Sequence, residues 1–382
     1  MLTRRTRRSF VSARTLTLCL AVLLLAAVAP GLHAQVAAPG FSKSFSPATI
    51  GPGSVSTLEF VITNPNGVPV RGLAFTDTLP ADVVVASPAN ASTDCPGGLV
   101  DATAGGSTIT LADAGIGALS TCTVSVDVTS ATPGTHTNVS GDLTSDAGNG
   151  GSATADLTVA TDRPGFTKAF SAALVGFGDR SRLILTIDNS ANDAAAANLT
   201  FTDPLPTGMT VASPANPATT CGGGVVTAPA GGSTVSYGPA FFSDATVAAG
   251  ASCTVEVDVI GGSVGELGNT TGELTSREGF GSIRSSGKAG AVLTVTVDRL
   301  ALTKSFEGDP VAPGGTVLLT FTLRNLDRES PVTALTFTDD LEAVLTGLVA
   351  TGTPLADPCG AGSSLTGTSV LTLTGGSLPA TG

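Results

Sequence analysis

Tryptophan is absent from the 382 residues, tyrosine occurs once and histidine only twice. Sugar binding on exposed aromatic platforms needs rings that this chain lacks. Histidine-dependent nucleophilic catalysis has one candidate, His136, because His33 falls in the leader described below; no serine or cysteine nucleophile accompanies it. Only 13% of residues are charged, with 18 Lys and Arg against 30 Asp and Glu and a net charge of −12. The basic surface that phosphate backbones and anionic lipids require is missing, which argues against nucleic acid as a partner. The stretch GGGVVTAPAGGS has glycines but neither a following helix nor the lysine of a phosphate loop. No cofactor is expected, and the reading is non-enzymatic.

Long apolar runs are equally scarce. The one that stands out, Leu16 to Val28, follows Arg4, Arg5, Arg7, Arg8 and Arg14 and precedes small residues up to Ala34. That order is a secretory signal peptide, residues 1–34, cut after Ala34. Its core is well short of the ~20 residues that span a bilayer. Cys19 sits inside the core behind Leu18, the wrong place for a lipid anchor. TRRSFVS also matches the twin-arginine export pattern, so the export route stays open. By either route the mature chain is secreted, extracellular or at the cell surface, and it does not insert in the membrane. It is also more acidic than the whole, which favours solubility.

What the chain does have is 48 glycines, 23 prolines and a repeat. PGFSKSF, PGFTKAF and LALTKSF open three copies at residues 39, 164 and 300. Next come STLEFVITN, SRLILTIDN and VLLTFTLRN, ending on Asn64, Asn189 and Asn325, then GLAFTDTLP, NLTFTDPLP and ALTFTDDLE with Asp77, Asp203 and Asp339. The pitch of roughly 130 residues far exceeds a solenoid unit of ~20–50, so each copy is read as a domain with its own core. Leu58, Phe60 and Ile62 alternate, as do their counterparts Leu183, Leu185 and Ile187. A period of two means strands. Glycine and proline recur too often for long helices. The fold class is therefore all-β: tandem immunoglobulin-like β-sandwich domains after the signal peptide, at 35–163, 164–299 and 300–382.

The combination of a lysine near the first strand, PG before a strand ending in Asn, and FTDxLPxG followed by VASPANP resembles a bacterial family of conserved-repeat domains of unknown function in secreted and surface proteins. Phe201 to Pro217 fits best, with Thr202, Asp203, Leu205, Pro206 and Gly208 on the pattern. The first copy departs with Asp82 at the glycine, and the third reads TDDLEAV; both departures are expected to weaken the turn. The resemblance implies a structural or adhesive stalk and supplies no catalytic residues.

Beyond the leader lie Cys95, Cys122, Cys221, Cys253 and Cys359. Each complete copy holds one pair, Cys95 with Cys122 and Cys221 with Cys253, read as disulfides in an exported chain. Two cysteines with no nearby histidine make a poor metal site. Cys359 matches the first member of a pair, and its partner would fall past Gly382. The third domain is thus read as incomplete, with further copies of the repeat expected in the full-length protein. The closing LPATG matches a wall-sorting signal, but in the repeat frame it falls on the turn before the cysteine strand, and that reading is preferred.

Lys43, Lys168 and Lys304 share a strand face with apolar neighbours, an odd place for charge. Two readings are open. One is an internal amide from Lys43 to Asn138 and from Lys168 to Asn269, with Asp77 and Asp203 as proton shuttles. The other is a strand-end lysine whose stem packs while its ammonium reaches water or an Asp. A disulfide already staples each domain, which favours the second. Asp77, Asp203 and Asp339 could also serve calcium at domain junctions, but without an acidic loop of regular spacing, turn capping or solvation is preferred. The expected function is a stalk or spacer. The alternative is a ligand-binding module working through the loops at 190–197 and 238–250 against a surface or matrix ligand.

Overall fold

A computed structural model describes residues 36–380 except 242, 279, 280, 298, 299, 309, 328 and 329. The expected leader, residues 1–34, and the last two residues of LPATG lie outside the described residues. Every regular element among the described residues is a β-strand, and no helix is long and apolar enough to cross a membrane.

In the first repeat, Gly40–Ser46, Val55–Thr63 and Thr121–Thr129 are antiparallel neighbours, with the short strands Val84–Val85 and Ser92–Thr93 on the outer side of the third. The register sets Phe41 opposite Ile62, Lys43 opposite Phe60 and Phe45 opposite Leu58. Across the next ladder Leu58 meets Val126, Phe60 meets Val124 and Ile62 meets Cys122. Because side chains alternate faces, all of these rows point inward together. The facing layer has Leu99–Asp101, Thr108–Ile116 and Val70–Thr78, and single bridges Asp77–Ser140 and Ala74–Thr144 carry it toward the antiparallel pair Gly134–Val139 and Thr154–Val159.

The second repeat repeats the plan. Gly165–Phe170, Arg180–Asp188 and Ser252–Gly261 form one layer; Ala196–Pro204 and Thr234–Pro239 lie in the other, and Gly265–Thr270 pairs with Gly290–Thr296. An aromatic trio fills each core: Phe41, Phe60 and Phe75, with centroids 4.6–6.0 Å apart, and Phe166, Phe201 and Tyr237, at 5.0 and 5.8 Å for successive rings. Tyr237 is therefore core, and His136 is a partly exposed strand residue whose ring meets the Thr132 carbonyl.

The repeated VASPAN acquires a physical reason. Asn90 and Asn216 sit at φ 45° and donate to Asp127 and Asp258, the acids of the two cysteine strands, at 2.6 and 2.7 Å. The alanine before each asparagine accepts from the main-chain N–H of the same aspartate. Asp82, where the pattern has glycine, takes φ 68°, in the left-handed region that Gly208 occupies at 90°; aspartate reaches it with less strain than most residues, glycine with none.

The segment ATDRPG, which joins the first repeat to the second, is packed against the first. An ideal Cβ on Gly51 would lie 2.0 Å from the Pro164 carbonyl oxygen, and one on Gly165 would lie 2.2 Å from that of Pro52. Two Gly/Pro turns thus sit backbone to backbone, an approach open only to glycine. Ser54 Oγ accepts from the Phe166 N–H at 2.8 Å, and Lys288 Nζ donates to Thr57 across the same junction.

The third repeat holds a two-stranded sheet, Leu300–Glu307 with Leu318–Asn325, facing a sheet that contains Val332–Asp340 and Val370–Leu378. Between these layers a cavity of about 300 Å³ is lined by Phe306, Leu319, Phe321, Leu341 and Leu371.

Candidate functional site

The alternation that buries Phe41 and Phe45 also turns Lys43 inward, opposite Phe60. From the facing layer, Val70–Thr78 delivers Asp77 and Gly134–Val139 delivers Asn138 to the same point. Lys43 Nζ donates to Asp77 Oδ1 at 3.0 Å and Asn138 Nδ2 donates to Asp77 Oδ2 at 2.8 Å, with the lysine and aspartate side chains fully shielded from solvent. The second repeat rebuilds the group. Lys168 Nζ lies 2.8 and 2.7 Å from the two Asp203 oxygens, and Asn269 Nδ2 donates to Asp203 Oδ1 at 2.8 Å. One oxygen of Asp203 therefore accepts from both nitrogens.

Of the two ends expected for these ammonium groups, water or an aspartate, Lys43 and Lys168 take the aspartate. Their stems do pack, but the ammonium ends inside the sandwich on an aspartate, because strict alternation leaves it no outward path. Nor do Asp77 and Asp203 cap turns or meet solvent; both are completely buried. Burial drives the Lys43 amine below its usual range, opposed by attraction and hydrogen bonding to Asp77; for Lys168 the same balance gives about 8. Asn138 Oδ1 and Asn269 Oδ1 are buried with no hydrogen-bond partner. Each site thus collects a lysine held below its usual basicity, a carboxylate able to carry a proton, and a carboxamide with an unsatisfied oxygen.

The third repeat brings Lys304 Nζ to Asp339 at 2.8 and 2.7 Å, but those side chains are 33% and 19% exposed. Among the described residues no asparagine hydrogen-bonds Asp339.

The structure joins Cys95 to Cys122 and Cys221 to Cys253, and leaves Cys359 free. Asp94 beside the first pair offers a carboxylate, but sulfurs already bonded to each other cannot act as thiolate ligands. The sequence carried one further set of signals that was given no role. Asn64 Nδ2 donates to the carbonyls of Val68 and Gly117, Asn189 Nδ2 to Ala194 and Ala248, and Asn325 Nδ2 to Ser330 and Pro379. Each asparagine pins two loops at one end of its sandwich. Recurrence at one offset in three copies was the signal that could have found them.

The loops at 190–197 and 238–250 are tied to each other: Ala196 and Val247 exchange both main-chain hydrogen bonds, and Phe241 beside them is 92% exposed.

The family described as Domain of unknown function (DUF7933) matches residues 39–159, 164–295 and 301–382. Comparison with curated proteins finds no match. Among solved structures, an Enterococcus faecalis MSCRAMM is 11% identical with a TM-score of 0.26, covering 66% of this chain and 95% of that one. The collagen adhesin of S. aureus is 11% identical at 0.24, covering 76% and 97%, and the collagen-binding domain of an Erysipelothrix rhusiopathiae surface protein is 13% identical at 0.24, covering 66% and 96%. Scores of this size carry no argument from fold to activity.

Proposed function

The chain belongs to this family, and from that premise we propose that it is an exported, non-catalytic spacer that holds whatever it carries away from the cell. The observation that carries the reading is the first junction, where Gly51–Pro52 and Pro164–Gly165 interlock backbone to backbone. A flexible tether needs no such fit, whereas a spacer that must hold its reach gains from every junction that cannot swing. Acidity, one disulfide in each of the first two repeats and the small number of histidines and aromatic residues fit an inert extracellular body.

A second reading is favoured by the 238–250 loop, which the Ala196–Val247 pair braces and which carries the largely exposed Phe241. Loops on a rigid sandwich are where binding residues collect. In this reading the second repeat holds a surface or matrix polymer.

One experiment separates the two. The exported full chain, with its N-terminus sequenced to locate the leader cut, is passed over immobilised matrix polymers and whole cells beside Phe241→Asp. The spacer reading expects no saturable binding by either protein. Saturable binding by the wild type that Phe241→Asp abolishes would replace it with the binding reading. A chain retained in the cytoplasm with its leader intact would overturn both.

A further inference from the structure

A spacer needs no ionisable groups in its core, yet two are sealed into each of the first two repeats. Burying an ammonium and a carboxylate is offset only when every remaining proton and lone pair finds a partner. Here the balance fails: among the described residues Lys43 Nζ has one acceptor for its three protons and Lys168 Nζ two, and the carboxamide oxygens of Asn138 and Asn269 have no partner. Moving one proton from lysine to aspartate removes both charges from the low-dielectric interior. The new carboxylic acid then has an O–H to donate, and the orphaned amide oxygen can accept it once the side-chain amide turns over, since its oxygen and nitrogen are nearly the same shape. That state sets an uncharged amine beside a carbonyl activated by an acid, which is the starting point of acyl transfer.

We propose that Lys43 and Asn138, and likewise Lys168 and Asn269, join through an amide bond inside the sandwich, with Asp77 and Asp203 as the general acid–base groups. The Nζ–Cγ bond forms and the Cγ–Nδ2 bond breaks. The aspartate takes a proton from the lysine, donates to the carbonyl oxygen as the tetrahedral centre forms, and passes the proton to the departing nitrogen. A lysine ammonium and an asparagine carboxamide become a secondary amide and an ammonium ion. No atom changes oxidation state and no co-reactant is consumed. The lowered basicity of Lys168, at about 8, gives a larger share of free amine at neutral pH than an exposed lysine has.

The disulfide does not make this bond redundant. Cys95–Cys122 closes an interior loop of 27 residues, whereas the amide ties the first strand, Gly40–Ser46, to the penultimate one, Gly134–Val139. A pull on the ends of the repeat would reach the amide before most of the sheet. The third repeat is an internal reference. Lys304 and Asp339 are partly exposed, with no asparagine bonded to Asp339 among the described residues, so Lys304 should remain a free amine in this chain.

The test is mass spectrometry of the full chain after disulfide reduction, intact and then as proteolytic peptides. Expected are a deficit of two ammonia molecules, one branched peptide joining the Lys43 and Asn138 segments, and another joining those of Lys168 and Asn269. Peptide assignment is needed because a Gln35 N-terminus can cyclise, and an asparagine can form a succinimide, each with loss of ammonia. Recovery of all four segments as separate linear peptides from folded protein would overturn the proposal whatever the intact mass. Asp77→Asn and Asp203→Asn should each abolish one branched peptide and leave the other. Branched peptides surviving in both variants would overturn the assigned role of the aspartates, and the wild-type digest decides the bond itself even if a variant fails to fold.

Discussion

Val55 and Lys288 belong to different repeats, yet they exchange both main-chain hydrogen bonds, at 2.8 and 2.9 Å, as strand neighbours do. The turn that permits this contains Gly287 at φ 94°, where an added Cβ would lie 2.8 Å from the Val55 oxygen and 2.9 Å from Ile50 Cγ2. Gly287→Val is therefore expected to open the junction while leaving both cores folded. A β-branched residue at positive φ costs on the order of 1–3 kcal/mol before the clash is counted. Hydrogen exchange provides the measurement. The Val55 and Lys288 amides should lose protection in the variant, while those of Val124 and Val255 in the core ladders keep theirs. Unchanged protection at Val55 and Lys288 would mean that the junction does not depend on this turn.

As a free amine, Lys168 would make stability respond to pH in a direction opposite to that of a lysine whose basicity an ion pair raises. Its amine titrates near 8 in the folded protein and near 10.5 when unfolded. Between these values the unfolded chain binds more protons, so stability rises with pH across that window and is flat on either side of it as far as this group is concerned. The gain is about 3 kcal/mol for a lysine that is still a free amine. Asn269→Leu keeps the amine and removes the acyl donor, so chemical denaturation of the second repeat in this variant should become harder from pH 8 to 10.5. The wild type carrying an amide at Lys168 has no such group to titrate and should lack this rise. Equal pH slopes in the two proteins would contradict the amide.

Asp82 and Gly208 occupy the same turn with the same backbone hand, but their surroundings differ. A Cβ at Gly208 would lie 2.4 Å from Ser263 Oγ, whereas Asp82 already carries its side chain in the exposed turn after Leu79. The exchange is therefore asymmetric. Asp82→Gly should change the melting point of the first repeat only slightly, since relief of left-handed strain is set against the entropy of a freer unfolded chain. Gly208→Asp should destabilise the second repeat by roughly 1–3 kcal/mol. Calorimetry on the full chain, with each repeat's transition assigned, checks both; equal losses would mean that Ser263 is not the obstacle.

The features legible in the sequence were those that period-two alternation carries by itself. Phe41, Lys43 and Phe45 share a face because every second residue of a strand does, and three copies of the repeat wrote that signal three times. Cysteine pairing was legible for the same reason. Whether Lys43 would end in water or in the core was not, because that depends on how far Val70–Thr78 and Gly134–Val139 cover it from the other layer. The junction was hidden more deeply. Gly51 looks like any turn glycine until Pro164, more than a hundred residues along the chain, is placed against it. The left-handed backbone at Asp82 was not legible either, because residue type alone does not fix φ.

The third repeat should be the weak point of this chain, and the reason lies in two aligned pairs. Phe170 is 8% exposed and its counterpart Phe306 is 41%; Phe166 is fully buried and its counterpart Leu302 is 51% exposed. The first strand of this repeat keeps its alternation but has too little facing it, which leaves apolar area in water at a cost of roughly 25 cal/mol per Å². Opening this sheet exposes little that is not already exposed, so its local unfolding free energy is low. Limited proteolysis of the full chain should cut first beyond Leu300 and leave a stable fragment holding both disulfides. An apolar dye that fluoresces on exposed hydrophobic surface should bind the intact chain and lose its signal once that fragment is isolated. Simultaneous cleavage throughout the chain would mean that the covered cores of the first two repeats confer no local advantage.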